Sequence, residues 1–200
     1  MIRSAIPSDA AEAVPLILDA IGSIAFVLTG TTDRKEAGFV LDQFFRQKGN
    51  RVSYENALVM DDLENVVEQS REGSLERSRE VIGVVLIYDG SIARTLDKPL
   101  EKAAIQKSGL SDYRIPTEAE PSEFYLDTVS VHPKCQGRGF GRDLIEASCQ
   151  HACKLGHSRI GLLVDTGNLG AMRLYERLEF RVAGRKQIAG EEYFHMVRNL

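Results

Sequence analysis

The chain lacks the features by which secreted and membrane-spanning proteins are usually identified. Its 200 residues include only three cysteines, an odd number, and no signal peptide is evident. This cysteine usage is typical of a reducing compartment, so we expect a cytoplasmic protein. The most apolar early run, residues 13–28, contains Pro15 and Asp19. It falls short of the roughly 18 uninterrupted apolar residues of a membrane span, and we expect no membrane partner.

The chain also lacks an excess of positive charge and any basic cluster. Its formal net charge is −4 and its pI is about 5.6. This balance argues against a nucleic-acid partner and favours cationic or neutral substrates. The hydrophobic fraction of 43% and the charged fraction of 27% are ordinary for a globular protein. The length favours a single domain over residues 1–200.

Local periodicity and turn residues predict strands that alternate with helices and end in a hairpin. Ser8 or Asp9 is expected to cap the first helix, with Glu12 completing a capping-box-like arrangement. Pro15 is expected to kink or restart this helix, and Asp33 to cap the next one. The order of elements favours an α/β (α+β) protein with a mixed sheet. Strands are predicted at residues 2–6, 51–60, 81–88, 124–131, 159–164, 180–182 and 193–197, and helices at 9–21, 33–48, 100–107, 142–155 and 171–178.

One segment stands out by its charge. Residues 61–80 are dense in acidic and basic side chains and poor in core residues. Such a composition cannot bury enough apolar surface to be held in place, so we predict a mobile, exposed hairpin extension.

A glycine-rich turn organises the second half of the chain. Residues 124–131 alternate like a strand, Pro133 ends the strand, and Gln136-Gly-Arg-Gly-Phe-Gly141 precedes a helical pattern. The first N–H groups of a helix have no partner within the helix and carry the positive end of its dipole. Glycines remove side chains there, so this turn is suited to binding a phosphate group.

The spacing of the glycines distinguishes among phosphate-binding motifs. A Walker A loop is absent, and residues 137–141 are one residue too short for a dinucleotide fingerprint. The turn matches Gln/Arg-x-x-Gly-x-Gly/Ala, and here the chain resembles the GNAT acetyltransferase superfamily. Taken alone, the hexapeptide is also compatible with an ordinary glycine-rich turn. A second stretch, Val164-Asp-x-x-Asn168-x-x-Ala171-x-x-Leu174-Tyr175-Glu-x-x-x-Phe180, strengthens the resemblance.

The resemblance covers residues 123–197 well and residues 1–20 faintly, and it does not cover residues 21–122. It implies a mostly antiparallel central sheet with helices on both faces. One departure is that Glu179 stands where the family usually has glycine before Phe180. If that position needs a positive φ, the glutamate costs up to about 1 kcal/mol relative to glycine.

The resemblance also implies a reaction, the direct transfer of an acetyl group from acetyl-CoA to an amine, with no metal and with a homodimer as a compatible assembly. Tyr175 would protonate the leaving thiolate, although without the motif the residue is more typical of a half-buried amphipathic core tyrosine. The residues that would bind acetyl-CoA are Val129, Val131, Gln136, Gly137, Arg138, Gly139, Phe140, Gly141, Arg142, Asn168 and Tyr175.

An ammonium acceptor must lose a proton before it can attack, so a base is expected. Glu123 and Asp127 share one strand face by alternation and are the candidates, directly or through a water. A solvated strand end for Glu123 and a structural hydrogen bond for Asp127 remain alternatives. A catalytically silent acyl-CoA-binding module is the alternative for the whole chain.

The acceptor is expected to be a small-molecule or peptide amine that arrives as a cation. Net acidity, the two strand carboxylates, and Asp33 and Glu36 on the early helices support this. Residues 21–50 and the variable insertion at residues 91–122 are expected to supply the acceptor pocket, because they depart from the shared core.

Overall fold

The structure is a computed structural model that describes residues 1–62 and 80–200. Seven strands form one sheet in the order β1-β2-β3-β4-β5-β7-β6. Neighbouring strands are antiparallel except β4 and β5, which are parallel. The predicted mobile hairpin lies, except at its ends, outside the described residues. The strands are β1 (Ile2–Ser4), β2 (Ala57–Asp62), β3 (Glu80–Asp89), β4 (Phe124–Val131), β5 (Arg159–Asp165), β6 (Arg181–Ile188) and β7 (Glu191–Asn199).

Six α-helices accompany the sheet within the described residues. Predicted strand 51–60 begins only at Ala57, because Tyr54–Asn56 form a 3-10 turn. The weakly predicted helix at 100–107 extends over Ala93–Ser108. Among the described helices, none has the length and apolar character needed to cross a bilayer. The helices are α1 (Ala10–Ile21), α2 (Ile24–Thr29), α3 (Arg34–Phe45), α4 (Ala93–Ser108), α5 (Phe140–Lys154) and α6 (Leu169–Arg177).

The start of α1 differs from the predicted capping box. Asp9 accepts hydrogen bonds from the Ile6 amide and from both terminal nitrogens of Arg3, whereas the Glu12 carboxylate accepts from the Val81 amide of β3. These tertiary partners replaced the local ones, which sequence spacing alone could not foresee. The Asp33 cap was predicted correctly, since its carboxylate accepts from the Glu36 amide.

The sheet buries both of its faces, as the family resemblance implied. Alternate strand residues such as Val59 and Val84 pack against α1 to α4, and the intervening residues such as Leu58 and Val85 pack against α5 and α6. This burial also explains why α1 continues through Pro15 instead of restarting there. The packed apolar stripe of α1 offsets the backbone hydrogen bond that proline cannot make.

The parallel pair positions the site described below. Only three residue pairs join β4 to β5, and the last of them is Leu126 opposite Leu162. On the other edge of β4, a register shift places Asp127 between the paired residues Leu126 and Thr128. Such a bulge bends a strand and re-aims a side chain. As a result, β4 and β5 separate beyond this point and leave an open edge on β4.

The turn before β6 carries the departure noted in the sequence. Glu179 has φ = +67°, in the left-handed region where glycine is favoured. The expected positive φ is therefore confirmed, and the chain retains the turn despite its glutamate.

Candidate active site

A cavity of about 1010 Å³ occupies the gap between β4 and β5. Its walls come from the second half of β4, the end of β5, the glycine-rich turn, the start of α6 and the junction of α1 and α2. Arginines Arg142 and Arg177 line it, as do five carboxylates, and this polarity suits a ligand with anionic and cationic parts. These carboxylates belong to Asp19, Glu118, Asp127, Asp165 and Glu191.

The glycine-rich turn forms one end of the cavity. Gly137 and Gly139 have φ values of +77° and +90°, and a Cβ added at either would meet nothing within 4 Å. Gly139 precedes α5, and its carbonyl accepts the first helical hydrogen bond, from the Asp143 amide. The N–H groups before Asp143 therefore have no acceptor within the helix. The turn presents unhindered backbone donors, as an anion-binding site requires.

The side chains of this turn have separate tasks. The Gln136 amide donates to the Val131 carbonyl at 3.0 Å and ties the turn to β4. The Arg138 guanidinium lies 4.8 Å from the centre of the Phe140 ring, and its residue does not contribute to the cavity wall. Arg142 does line the wall, so it is the better placed of the two predicted arginines.

The long sides of the cavity contain three further predicted binding residues. Val129 and Val131 lie on β4, whose edge towards β5 is open beyond Leu126. Asn168 lines the opposite side, and its carbonyl oxygen accepts from the Ala171 amide at 3.0 Å, which caps α6. The side-chain amide nitrogen is left for a ligand.

Tyr175 lies on the buried face of α6 and lines the cavity. It is 7% exposed, and its ring packs edge-on against Phe180 at 5.7 Å. Burial raises the pKa of its hydroxyl to about 12. The hydroxyl is therefore protonated at neutral pH and able to act as a proton donor.

Of the two predicted base candidates, the structure brings Asp127 to the cavity. Its carboxylate accepts from the Arg51 guanidinium, from the Tyr88 hydroxyl at 2.7 Å and from the Thr128 hydroxyl at 3.0 Å. Arg51 also contacts Asp97 and Glu118, at 3.4 and 2.8 Å. We call Arg51, Asp97, Glu118 and Asp127 the buried charge cluster.

Glu123 does not reach the cavity wall, and this part of the sequence prediction is not supported. The residue is 1% exposed and fills the space above Gly161 on β5, where even a Cβ would lie 2.3 Å from its carboxyl carbon. Both carboxylate oxygens lie 3.1 Å from His195 Nε2, and one accepts from the Glu120 amide. Strand alternation predicted the face but not the neighbouring strand, whose glycine makes room for the side chain.

Sequence reasoning missed Glu118, which lies in the loop between α4 and β4. Its carboxylate accepts from Arg51 at 2.8 Å and from the Tyr125 hydroxyl at 3.1 Å. Burial raises the pKa of this carboxyl, Arg51 opposes the rise and Asp127 adds to it. The loop has no periodicity and no motif, so the sequence offered no signal for it.

Repulsion within the buried charge cluster predicts that neutralising Asp97 changes the free energy of unfolding. Burial raises the pKa of Asp97 to about 6, so its proton is held more tightly in the folded than in the unfolded chain. The protonated Asp97 therefore adds to the free energy of unfolding at low pH. This contribution is lost as the pH rises from the ordinary pKa of an aspartate through about 6. Asp97→Asn is expected to raise the free energy of unfolding by about 1 to 3 kcal/mol at pH 7.5 and to leave it unchanged at pH 3.5. Denaturant melts at both pH values measure this.

The exposed Asp112→Asn serves as the control for loss of one negative charge. An Asp97→Asn protein that is less stable than wild type at pH 7.5 would show that the carboxylate contributes a net favourable ion pair instead.

The predicted acceptor-side segments reach the cavity only in part. Residues 21–24 line it, and Glu118 lines it from the predicted insertion at 91–122. Asp33 and Glu36 are occupied elsewhere, because Asp33 caps α3 and the Glu36 carboxylate contacts Lys107 and the Thr31 hydroxyl.

The sequence is similar to those of several known proteins. Two curated relatives are 34% identical to the chain: the mycothiol acetyltransferase of Mycobacteroides abscessus over 101 residues, and the spermine/spermidine N(1)-acetyltransferase of Bacillus subtilis over 77 residues. The matches cover 50% and 38% of this chain. They span only 30% and 49% of the lengths of those relatives.

Solved structures share the whole fold. A crystal structure described as an acetyltransferase is 28% identical with a TM-score of 0.75, covering all of this chain and 98% of the other. An N-acetyltransferase from Staphylococcus aureus Mu50, at 20% identity and the same TM-score, covers 99% of this chain and shares the fold. The model of the acetyltransferase (GNAT) family matches residues 71–180, more than half of the sequence. The chain therefore belongs to the GNAT acetyltransferase family.

Proposed function

We propose that this protein is an N-acetyltransferase that transfers the acetyl group of acetyl-CoA directly to a primary amine of a small molecule or peptide. One observation carries the proposal: a single cavity has a turn of unhindered backbone donors at one end and also exposes buried carboxylates. Acetyl-CoA has an anionic pyrophosphate and a neutral thioester, whereas an amine acceptor arrives as a cation. The cavity has matching groups for each.

The turn fits the pyrophosphate of acetyl-CoA. Residues 137–142 provide backbone N–H groups and Arg142, and no side chain fills the approach to Gly137 or Gly139. The open edge of β4 at Val129 and Val131 can pair with the amides of the pantetheine arm as an added strand would. An N–H near Val129 would polarise the thioester carbonyl, and Asn168 would contact the arm from the other side.

An acceptor that arrives as an ammonium requires three proton transfers: the nitrogen loses one proton before it attacks and one after, and the leaving thiolate gains one. The amine nitrogen forms a bond to the acetyl carbon, and the bond from that carbon to sulfur breaks. Tyr175 is the proton donor to the leaving thiolate, because the residue lines the cavity and its hydroxyl stays protonated at neutral pH. A thiol and an amide result.

The acceptor class follows from the carboxylates of the cavity. Five line it, against two arginines. The relative from Bacillus subtilis is named for polyamines and the one from Mycobacteroides abscessus for mycothiol. A cationic amine ranks above an amino sugar phosphate or an alcohol, since these carboxylates, of which Glu118 and Asp127 have buried side chains, disfavour a phosphorylated ligand.

Titration calorimetry with acetyl-CoA, followed by thiol release with spermidine, a lysine peptide and glucosamine, tests the proposal. We expect acetyl-CoA to bind and at least one amine to accelerate thiol release well above the rate without acceptor. Binding without thiol release for any amine would favour the silent acyl-CoA-binding module. Absence of binding would overturn both.

The cellular location and the oligomeric state stay predictions from the sequence. Cys135, Cys149 and Cys153 are free thiols, which is compatible with a reducing, cytoplasmic location. Gel filtration with light scattering would test the expected homodimer.

A further inference from the structure

We propose that Glu118 receives the ammonium group of the acceptor and takes its proton, acting as the catalytic base. This inference rests on the proposed acetyltransferase function and goes beyond it by assigning the base to a residue outside every motif. Glu118 is 8% exposed and is part of the cavity wall that Asp127 and Tyr175 also form.

The Glu118 carboxylate is held in place and still has accepting capacity. One oxygen accepts from Arg51 at 2.8 Å and the other from the Tyr125 hydroxyl at 3.1 Å. The Lys186 ammonium donates to the Glu118 backbone carbonyl at 2.7 Å and anchors the loop from β6. A carboxylate has about four lone-pair positions, so each oxygen can accept one further hydrogen bond.

Asp127 is the less suitable base although it lines the same cavity. It accepts from Arg51, Tyr88 and Thr128, with two of these donors on a single oxygen. These donors occupy about three of the four lone-pair positions of the carboxylate and leave little room for an ammonium. Asp127 is thus better suited to holding Arg51 than to receiving a proton.

The buried charge cluster carries more negative than positive charge. The Arg51 side chain is 3% exposed and faces three carboxylates, those of Asp97, Glu118 and Asp127. Its Nε is buried without a hydrogen-bond partner among the described residues. An unpaired buried donor is unfavourable. Two guanidiniums, that of Arg51 and that of the partly exposed Arg94 at 3.8 Å from Asp97, do not balance three carboxylates. An ammonium that arrives at Glu118 supplies the missing charge.

The pH dependence has a defined sign. Burial keeps the pKa of Glu118 above its ordinary value, so protons occupy the base at mildly acidic pH and activity falls there. The group is ionised and able to accept a proton above its pKa. The titratable and charged groups that face it from the surrounding elements are Arg51, Tyr88, Asp97, Tyr125, Asp127, Lys186 and Tyr193.

Protons balance over the cycle. The ammonium gives one proton to Glu118 and becomes a nucleophilic amine. After the carbon–nitrogen bond forms and the carbon–sulfur bond breaks, the nitrogen loses a second proton, which replaces the one that Tyr175 donated to the thiolate. Glu118 then releases its proton to solvent.

The test compares Glu118→Gln with Glu120→Gln, which removes the same charge from an exposed carboxylate paired with Lys186. With spermidine as acceptor, or whichever amine of the panel reacts fastest, Glu118→Gln is expected to lower kcat/KM about 100-fold or more. The variant should keep its acetyl-CoA affinity within about twofold and should lose the decrease of activity at acidic pH. It should melt at an equal or higher temperature, since the substitution relieves repulsion with Asp97 and Asp127.

The outcomes separate this inference from the proposed function. A wild-type protein that transfers no acetyl group would overturn the function itself. Full activity with an unchanged acidic limb in Glu118→Gln would overturn the assignment of the base, as would a lower melting temperature together with an unchanged limb. Should Glu118→Gln fail to fold, Glu118→Asp takes its place, and a folded aspartate variant with wild-type kcat/KM would contradict the requirement for this carboxylate position.

Discussion

Gly139→Val is expected to weaken acetyl-CoA binding about 100-fold or more while the protein stays folded. Gly139 immediately precedes α5 with φ = +90°, at the point where the backbone donors of the helix face the cavity. A branched side chain there would stand between those donors and a pyrophosphate, and an anion that cannot approach the amides loses its charge-assisted hydrogen bonds. Calorimetric titration with acetyl-CoA measures the effect.

The control for this variant is Gly156→Val at the other end of the same helix. Gly156 has φ = +87°, and like Gly139 it has nothing within 4 Å of an added Cβ. Both variants therefore carry similar backbone strain, about 1 to 2 kcal/mol. Only Gly139→Val should lose acetyl-CoA. Equal affinity in a folded Gly139→Val protein would remove the turn from the binding site.

Tyr175→Phe is expected to lower kcat by about one to three orders of magnitude at nearly unchanged acetyl-CoA affinity. The substitution keeps the edge-on packing against Phe180 and removes only the hydroxyl. Burial raises the pKa of that hydroxyl to about 12. The hydroxyl of the wild-type protein therefore stays protonated, and kcat should show no decrease from its ionisation up to about pH 10. Steady-state kinetics with saturating acceptor gives kcat directly.

Tyr54→Phe, at a half-buried tyrosine that does not line the cavity, controls for the general effect of removing a phenol. Wild-type turnover in Tyr175→Phe would return Tyr175 to a packing role. A decrease confined to acetyl-CoA affinity would instead assign the hydroxyl to binding.

The turn and the elements around it could be read from the sequence because their causes are local. Gly137 and Gly139 adopt positive φ where the strand turns into the helix, and Asn168 caps α6 through its own side chain. The hairpin of β6 and β7 follows the predicted turn at Ala189-Gly190. Each of these features depends on residues a few positions apart, which is the range over which propensity and capping act.

The contacts of the carboxylates could not be predicted in this way, because they depend on partners far away in the chain. The sequence predicted an acidic site for an amine acceptor, which stays a prediction, and offered Glu123 and Asp127 as its base by alternation. The structure buries Glu123 over Gly161 and holds Asp127 against Arg51, which lies 76 positions earlier.

Sequence alone thus determined the family, the glycine-rich turn before α5 and the position of Tyr175 on α6, since all three are encoded within short segments. Only the tertiary structure decided which carboxylates face the cavity. The separation of β4 from β5 creates that cavity, and the contacts of Arg51 with residues 46 to 76 positions away gather Asp97, Glu118 and Asp127 beside it. A loop residue such as Glu118 has no periodicity to reveal it, and its burial and raised pKa come entirely from elements that fold around it.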